Sequence, residues 1–174
     1  MPPGFVIWFS GLPASGKSTL ALAVQQQLAA RSISSVIFDS DELRQILTPD
    51  PTYSEAERDW FYTVIAQLAA LLAKSGVNIL IAATANRARY RWQARQQIAR
   101  FAEVYVKCSL EICQERDPKG IYRRAATGDA EKVPGIGAAF EAPESPEVMV
   151  DSEQLSPEAA AQQVIERLGL DIIK

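Results

Sequence analysis

Eight residues near the start of the chain, Gly11-Leu-Pro-Ala-Ser-Gly-Lys17-Ser18, have the spacing G-x-x-x-x-G-K-[ST]. Their types suit a bound polyphosphate. The glycines let successive backbone N–H groups turn toward one anion, and the first turn of a following helix adds unpaired donors and a positive dipole end. A lysine supplies a point charge for β and γ phosphates, and a serine hydroxyl can ligate magnesium. The expected contacts to ATP phosphates are therefore Gly11, Pro13, Ala14, Ser15, Gly16, Lys17, Ser18 and Thr19, with Ser18 also on Mg2+. The plain alternative is a tight turn with a capping serine.

Two carboxylates, Asp39 and Asp41, follow the short apolar run Val36 to Phe38. At the carboxyl edge of a parallel sheet they would face the loop. One can orient the metal's waters while the other takes a proton from a hydroxyl. We assign Asp39 to the metal side and Asp41 to the base; capping of a helix from Glu42 is the competing reading. Cations for the transferring phosphoryl group are available in two clusters. One holds Arg87, Arg89, Arg91, Arg95 and Arg100; the other holds Arg116, Lys119, Arg123 and Arg124. In the first, Arg91 and Arg95 read as a solvated helix face and only Arg87 reads as a site residue. The second sits at the start of a stretch, residues 117–147, with four prolines and four glycines. A long irregular stretch inside a regular pattern reads as a lid whose closure excludes water.

The elements that would hold these groups alternate. Phe5 to Phe9, Val36 to Phe38, Val77 to Ala83, Glu103 to Cys108 and Val148 to Val150 read as strands. Ser18 to Arg31, Glu55 to Lys74 with Ser54 as cap and Glu57 at capping-box spacing, Arg87 to Arg100, Leu110 to Arg116 and Pro157 to Leu168 with Ser156 as cap read as helices. Repeated strand–helix units predict an α/β three-layer sandwich, a five-stranded parallel sheet with helices on both faces. At 174 residues one domain, 1–174, is expected. A net charge of −3 disfavours a nucleic-acid partner. No apolar run approaches the roughly 20 residues that span a bilayer, and Met1 to Ser10 lacks the marks of an export signal, so a cytoplasmic protein is expected. There is no histidine, which excludes His-based nucleophile activation and zinc sites. Cys108 and Cys113 read as buried small hydrophobes.

Taken together, these residues resemble the adenylyl-sulfate kinase (APS kinase) family of P-loop kinases, over nearly the whole chain. FSGLPASGKSTLA is similar to the family's P-loop, FDSDELRQIL to its DGDNxR segment, and the run from Cys108 to Ser152 to its RDPKGLY segment, GI turn and EAPE(N/S)PE run. The resemblance implies the P-loop NTPase-type fold, ATP and Mg2+ as cofactors, and phosphorylation of the 3′-hydroxyl of adenosine 5′-phosphosulfate (APS) to give PAPS and ADP. It implies that Asp41, Arg44 and Arg58 contact the acceptor and that Lys119 reaches in from the lid; Arg116 is expected on the ATP phosphates and Arg87 on the acceptor. It leaves a homodimer open. The chain departs from the family where Trp60-Phe61-Tyr62-Thr63-Val64 stands for ENIRR, Ala83-Thr84-Ala85-Asn86-Arg87 for ISPYR, Val133 for an aromatic that stacks on adenine, and Gly137-Ala138-Ala139-Phe140 for an acidic-Pro-Tyr run. Trp60 and Phe61 would then be either a new aromatic floor or core. A kinase of another small metabolite or nucleotide, and an ATP-binding regulatory module without transfer, are the other readings.

Overall fold

β1 (Val6–Ser10) is buried at every position, which a strand achieves only inside a sheet covered on both faces. The computed structural model describes residues 2–128 and 132–170. After β1 come α1 (Lys17–Ala29), β2 (Val36–Asp39), α2 (Ser40–Leu47), α3 (Glu55–Lys74), β3 (Ile79–Ala82), α4 (Ala88–Gln97), β4 (Phe101–Lys107), α5 (Leu110–Arg116), α6 (Ile121–Ala126), β5 (Val148–Asp151) and α7 (Pro157–Arg167). The strands pair in parallel in the order β2-β3-β1-β4-β5. β1 is thus central, and the loop after it opens between β3 and β4.

Side chains alternate across the sheet. Ile7, Phe9, Leu80, Val104 and Val150 pack with Leu20, Val24 and Leu28 of α1 and Ala161, Val164 and Ile165 of α7. Val6, Trp8, Ile79 and Ile81 pack on the opposite face with Phe61, Ile65 and Ala69 of α3 and Tyr90 and Ala94 of α4. A third, smaller cluster joins Cys108, Cys113, Tyr122 and Val133 to Leu12 and Ala14 of the glycine loop. Both cysteines are buried and free, as their spacing predicts.

Element ends show where side chains outvote spacing. α2 begins at Ser40, and its cap is Asp39, whose Oδ1 accepts the Asp41 N–H at 2.8 Å; Asp41 is not the cap. Ser54 Oγ accepts the Glu57 N–H at 3.2 Å as expected, but the Glu57 carboxylate does not complete a capping box. It takes instead the Thr52 N–H at 2.6 Å and the Thr52 hydroxyl at 2.7 Å. α4 is shorter than expected, and its first N–H, from Ala88, is met by Glu141 Oε2 at 2.7 Å. α6 lies inside the stretch read as irregular.

Arg91 is a correction. It is 2% exposed, not part of a solvated face. Its Nε lies 2.6 Å from Glu103 Oε1, an ion pair rather than a well-directed hydrogen bond. Its Nη2 donates to the Glu141 carbonyl at 2.6 Å and its Nη1 to the Ala85 carbonyl. Ser10, just before the glycine loop, donates to the same Glu103 oxygen at 3.0 Å. A buried guanidinium thereby ties β4, the end of β1, the β3–α4 connection and the return of the 117–147 stretch, at the desolvation cost that lowers its pKa.

Candidate active site

The loop from Gly11 to Gly16 runs over the carboxyl edge of the sheet, and its shape depends on two glycines. A Cβ at Gly11 would meet the Val106 carbonyl at 2.6 Å, and Gly16 holds a φ of +100° at the entry to α1. Neither position accepts another residue without strain. The amides of the first turn of α1 are left facing the cleft. Lys17 folds back over the loop: its Nζ donates to the carbonyls of Leu12 at 2.6 Å and Gly11 at 3.1 Å. Burial lowers its pKa to about 8, against the opposing pull of charges that include Asp41 and Asp39. Ser18 Oγ donates to Asp39 Oδ2 at 2.5 Å. A hydroxyl and a carboxylate in that contact are a fitting oxygen pair for Mg2+. The hydroxyl of Ser15 is buried with no hydrogen-bond partner among the described residues.

A cleft of about 1010 Å³ runs from this loop in two directions. Toward α7 it is bounded by Arg116, Ser152, Leu155 and Pro157. Arg116 donates there to Ser152, to Oγ at 3.1 Å and to the carbonyl at 2.8 Å. Toward α2 and α3 it is bounded by Asp41, Arg44, Tyr53 and Arg58. Lys119 crosses it and donates to Asp41 Oδ2. Burial works to lower the Lys119 pKa, but Asp41's hydrogen bond and charge outweigh it and the pKa is raised. Arg58 braces the far wall, with Nε on the Tyr53 carbonyl at 3.1 Å, Nη1 on Asn86 Oδ1 at 3.4 Å and Nη2 on the Lys132 carbonyl at 2.7 Å.

The structure thus brings together Pro13, Ala14, Gly16, Lys17, Ser18, Thr19, Asp41, Arg44, Arg58, Arg116 and Lys119 around one cleft, with Asp39 behind Ser18. Gly11 and Ser15 shape the loop from beneath. Arg87 is not brought in: it does not line the cleft and pairs with Glu141 at 2.9 Å. Phe61 is fully buried, and Trp60 is 49% exposed and does not line the cleft, so the pair makes no floor for it. Val133 does line the cleft, although its side chain is largely buried in the third cluster. Sequence reasoning missed Tyr53 and Lys132 on the cleft wall, while Arg124 of the second cation cluster lines it. Tyr53 had a signal, a lone aromatic between Pro51 and the cap of α3; it holds a φ of +52°, strained for a non-glycine residue.

The adenylylsulphate kinase family matches residues 3–151. A probable bifunctional SAT/APS kinase 2 of Sorangium cellulosum (strain So ce56) is 38% identical over 165 residues, which are 95% of this chain; the chain spans only 28% of that relative's length. Among solved structures, the Mycobacterium tuberculosis APS kinase CysC in complex with AMPPNP and APS superposes with a TM-score of 0.91 at 34% identity, over 97% of this chain and 99% of that one. A hexameric APS kinase from Thiobacillus denitrificans superposes with a TM-score of 0.71 at 26% identity, over 98% of this chain and 29% of that one. On the family match and this shared fold, the chain belongs to the adenylylsulphate kinase family.

Proposed function

We propose that the chain transfers the γ-phosphoryl group of ATP to the 3′-hydroxyl of adenosine 5′-phosphosulfate, giving PAPS and ADP. The observation that carries this reading is the placement of Asp41, paired with Lys119, in the same cleft as Lys17 and the glycine loop. When Lys119 moves onto phosphate oxygens, the Asp41 carboxylate is left to accept the hydroxyl proton. Lys17 leaves the Leu12 and Gly11 carbonyls for the β and γ phosphates, and the loop amides hold the same anions. Ser18 and Asp39 would hold Mg2+, which supplies charge neutralisation between the phosphates. Arg44 and Arg58 bind the acceptor's anionic end, and Arg116 sits on the donor side. Within one domain, the lid is assigned to the 117–147 stretch, of which parts from Asp117 to Arg124 and from Lys132 to Pro134 border this cleft, residues 129–131 lying outside the described ones.

A panel of acceptors with ATP and Mg2+ tests the assignment. APS should turn over, and Asp41→Asn should retain nucleotide binding while losing transfer by about a hundredfold or more. Turnover of another small metabolite with none of APS would replace the acceptor, and nucleotide binding with no acceptor at all would leave only a regulatory module.

We also assign a homodimer and a cytosolic setting to the chain. Trp60, Leu68 and Leu71 are exposed along one side of α3, where positions 11 apart fall on nearly the same line of a helix. The free thiols of Cys108 and Cys113 suit a reducing compartment, and among the described residues no helix is long and apolar enough to cross a membrane.

A further inference from the structure

Phe61 stands in α3 where the family resemblance sets the asparagine of ENIRR. The ring is fully buried, yet one of its faces meets a cation: Arg44 Cζ lies 3.9 Å from its centroid. That is well inside the roughly 6 Å reach of a cation–π contact. Glu57 lies one helical turn earlier on α3, so residues 57 and 61 share a side of the helix. Glu57 Oε1 is 3.0 Å from Arg44 Nη1, and the carboxylate is itself fixed by the backbone and hydroxyl of Thr52. Two side chains of α3 therefore grip one guanidinium presented by α2, which also lies 4.9 Å from the Tyr53 ring centroid.

What the grip leaves over is the informative part. The hydrogen bonds of Arg44, to Glu57 at 3.0 Å and weakly to Thr48 at 3.5 Å, both use Nη1. Among the described residues none uses Nε or Nη2, and Arg44 lines the acceptor side of the cleft. A guanidinium anchored at one nitrogen and stacked on a buried ring keeps its other edge ordered for a second anion, without the rotamer entropy a loose arginine would lose on binding. The geometry points to Phe61 as the positioning residue that aims Arg44 at the acceptor's anionic end, a role that rests on the kinase reading and makes the aromatic substitution part of acceptor selectivity.

Phe61→Met keeps most of the side-chain volume and removes the ring face. With APS as the probe, it should raise the acceptor KM about tenfold, as loss of a desolvated cation–π contact implies, while the ATP KM stays within twofold. In an Arg44→Ala background the same change should add nothing to the acceptor KM, because the residue it acts through is gone. Equal rises in both KM values, or an undiminished effect in the Arg44→Ala background, overturn the inference. So does an acceptor KM within twofold of native. Should Phe61→Met fail to fold, the native chain decides: its Arg44 Nε–H resonance, assigned by its loss in Arg44→Lys, should be ring-current shifted and should move on adding APS but not on adding ADP with Mg2+. A resonance unshifted or indifferent to APS sinks the inference while the kinase reading stands. A native chain that does not turn over APS at all ends both.

Discussion

Lys17 is held by its own loop, and in the proposed reaction its charge is the group on which phosphate binding would turn. Its folded pKa of about 8 lies below the 10.5 of a free lysine because burial disfavours the ammonium. Below about 8 the lysine is charged whether folded or not, and the full cost of burying it is present. Between 8 and 10.5 the folded chain releases the proton first, the unfolded chain binds more, and stability rises with pH through that window. Phosphate binding runs the other way, since the charge is lost above about 8. We expect kcat/KM for ATP to fall as pH rises past that value, and Lys17→Ala to lose transfer with every acceptor by about a hundredfold or more. A pH–rate profile flat to 9.5 together with near-native turnover of the variant would contradict the role. At this scale the sequence was most readable: a loop whose chemistry is carried by backbone amides and one lysine announces itself by spacing. Tyr53 and Lys132 did not, because their place on the cleft comes from loops whose path no periodicity encodes.

Elements are where the sequence was both clear and misleading. α3 and α5 have the bounds the sequence predicts, because the Ser54 and Ser109 hydroxyls accept the Glu57 and Ile112 N–H groups and fix their starts. α4 reads as a basic, solvent-facing helix, yet Arg91 points into the protein because Glu103, twelve positions on and in another element, waits there. Asp39 rather than Asp41 caps α2, which leaves Asp41 for the cleft. Arg91→Met should therefore destabilise by about 3–5 kcal/mol, leaving Glu103 buried without its partner, and urea unfolding would show it. A loss under about 1 kcal/mol would mean that the ion pair only balances its desolvation. Adding Glu103→Gln should recover part of the loss, since it removes the orphaned charge.

For the whole molecule the parallel order β2-β3-β1-β4-β5 explains why pieces far apart in sequence meet. Every strand ends at the same edge, so the loops after β1, β2 and β4 converge on one cleft. That much follows from the strand–helix rhythm alone. The association state does not; in the proposed homodimer it would turn on the exposed side of α3. Trp60→Glu should shift sedimentation toward the monomer with little change in melting temperature, as Trp60 is half exposed in the single chain. An unchanged sedimentation coefficient would remove α3 from the contact.

The 117–147 stretch is also the only covalent route to β5 and α7. Yet β5 is hydrogen-bonded along β4, and α7 packs on α1. The return of that stretch is bolted to the β3–α4 connection through Asn86 and to α4 through Ala88 and Arg91. A cut after Arg123, whose side chain is 81% exposed, would sever the backbone without removing any of these attachments. Brief trypsin treatment should yield two fragments that travel together on gel filtration with native far-ultraviolet dichroism but transfer no phosphate. Fragments that part company would mean that the carboxyl-terminal strand needs its tether, and that the fold is less a self-adhering assembly than a single thread.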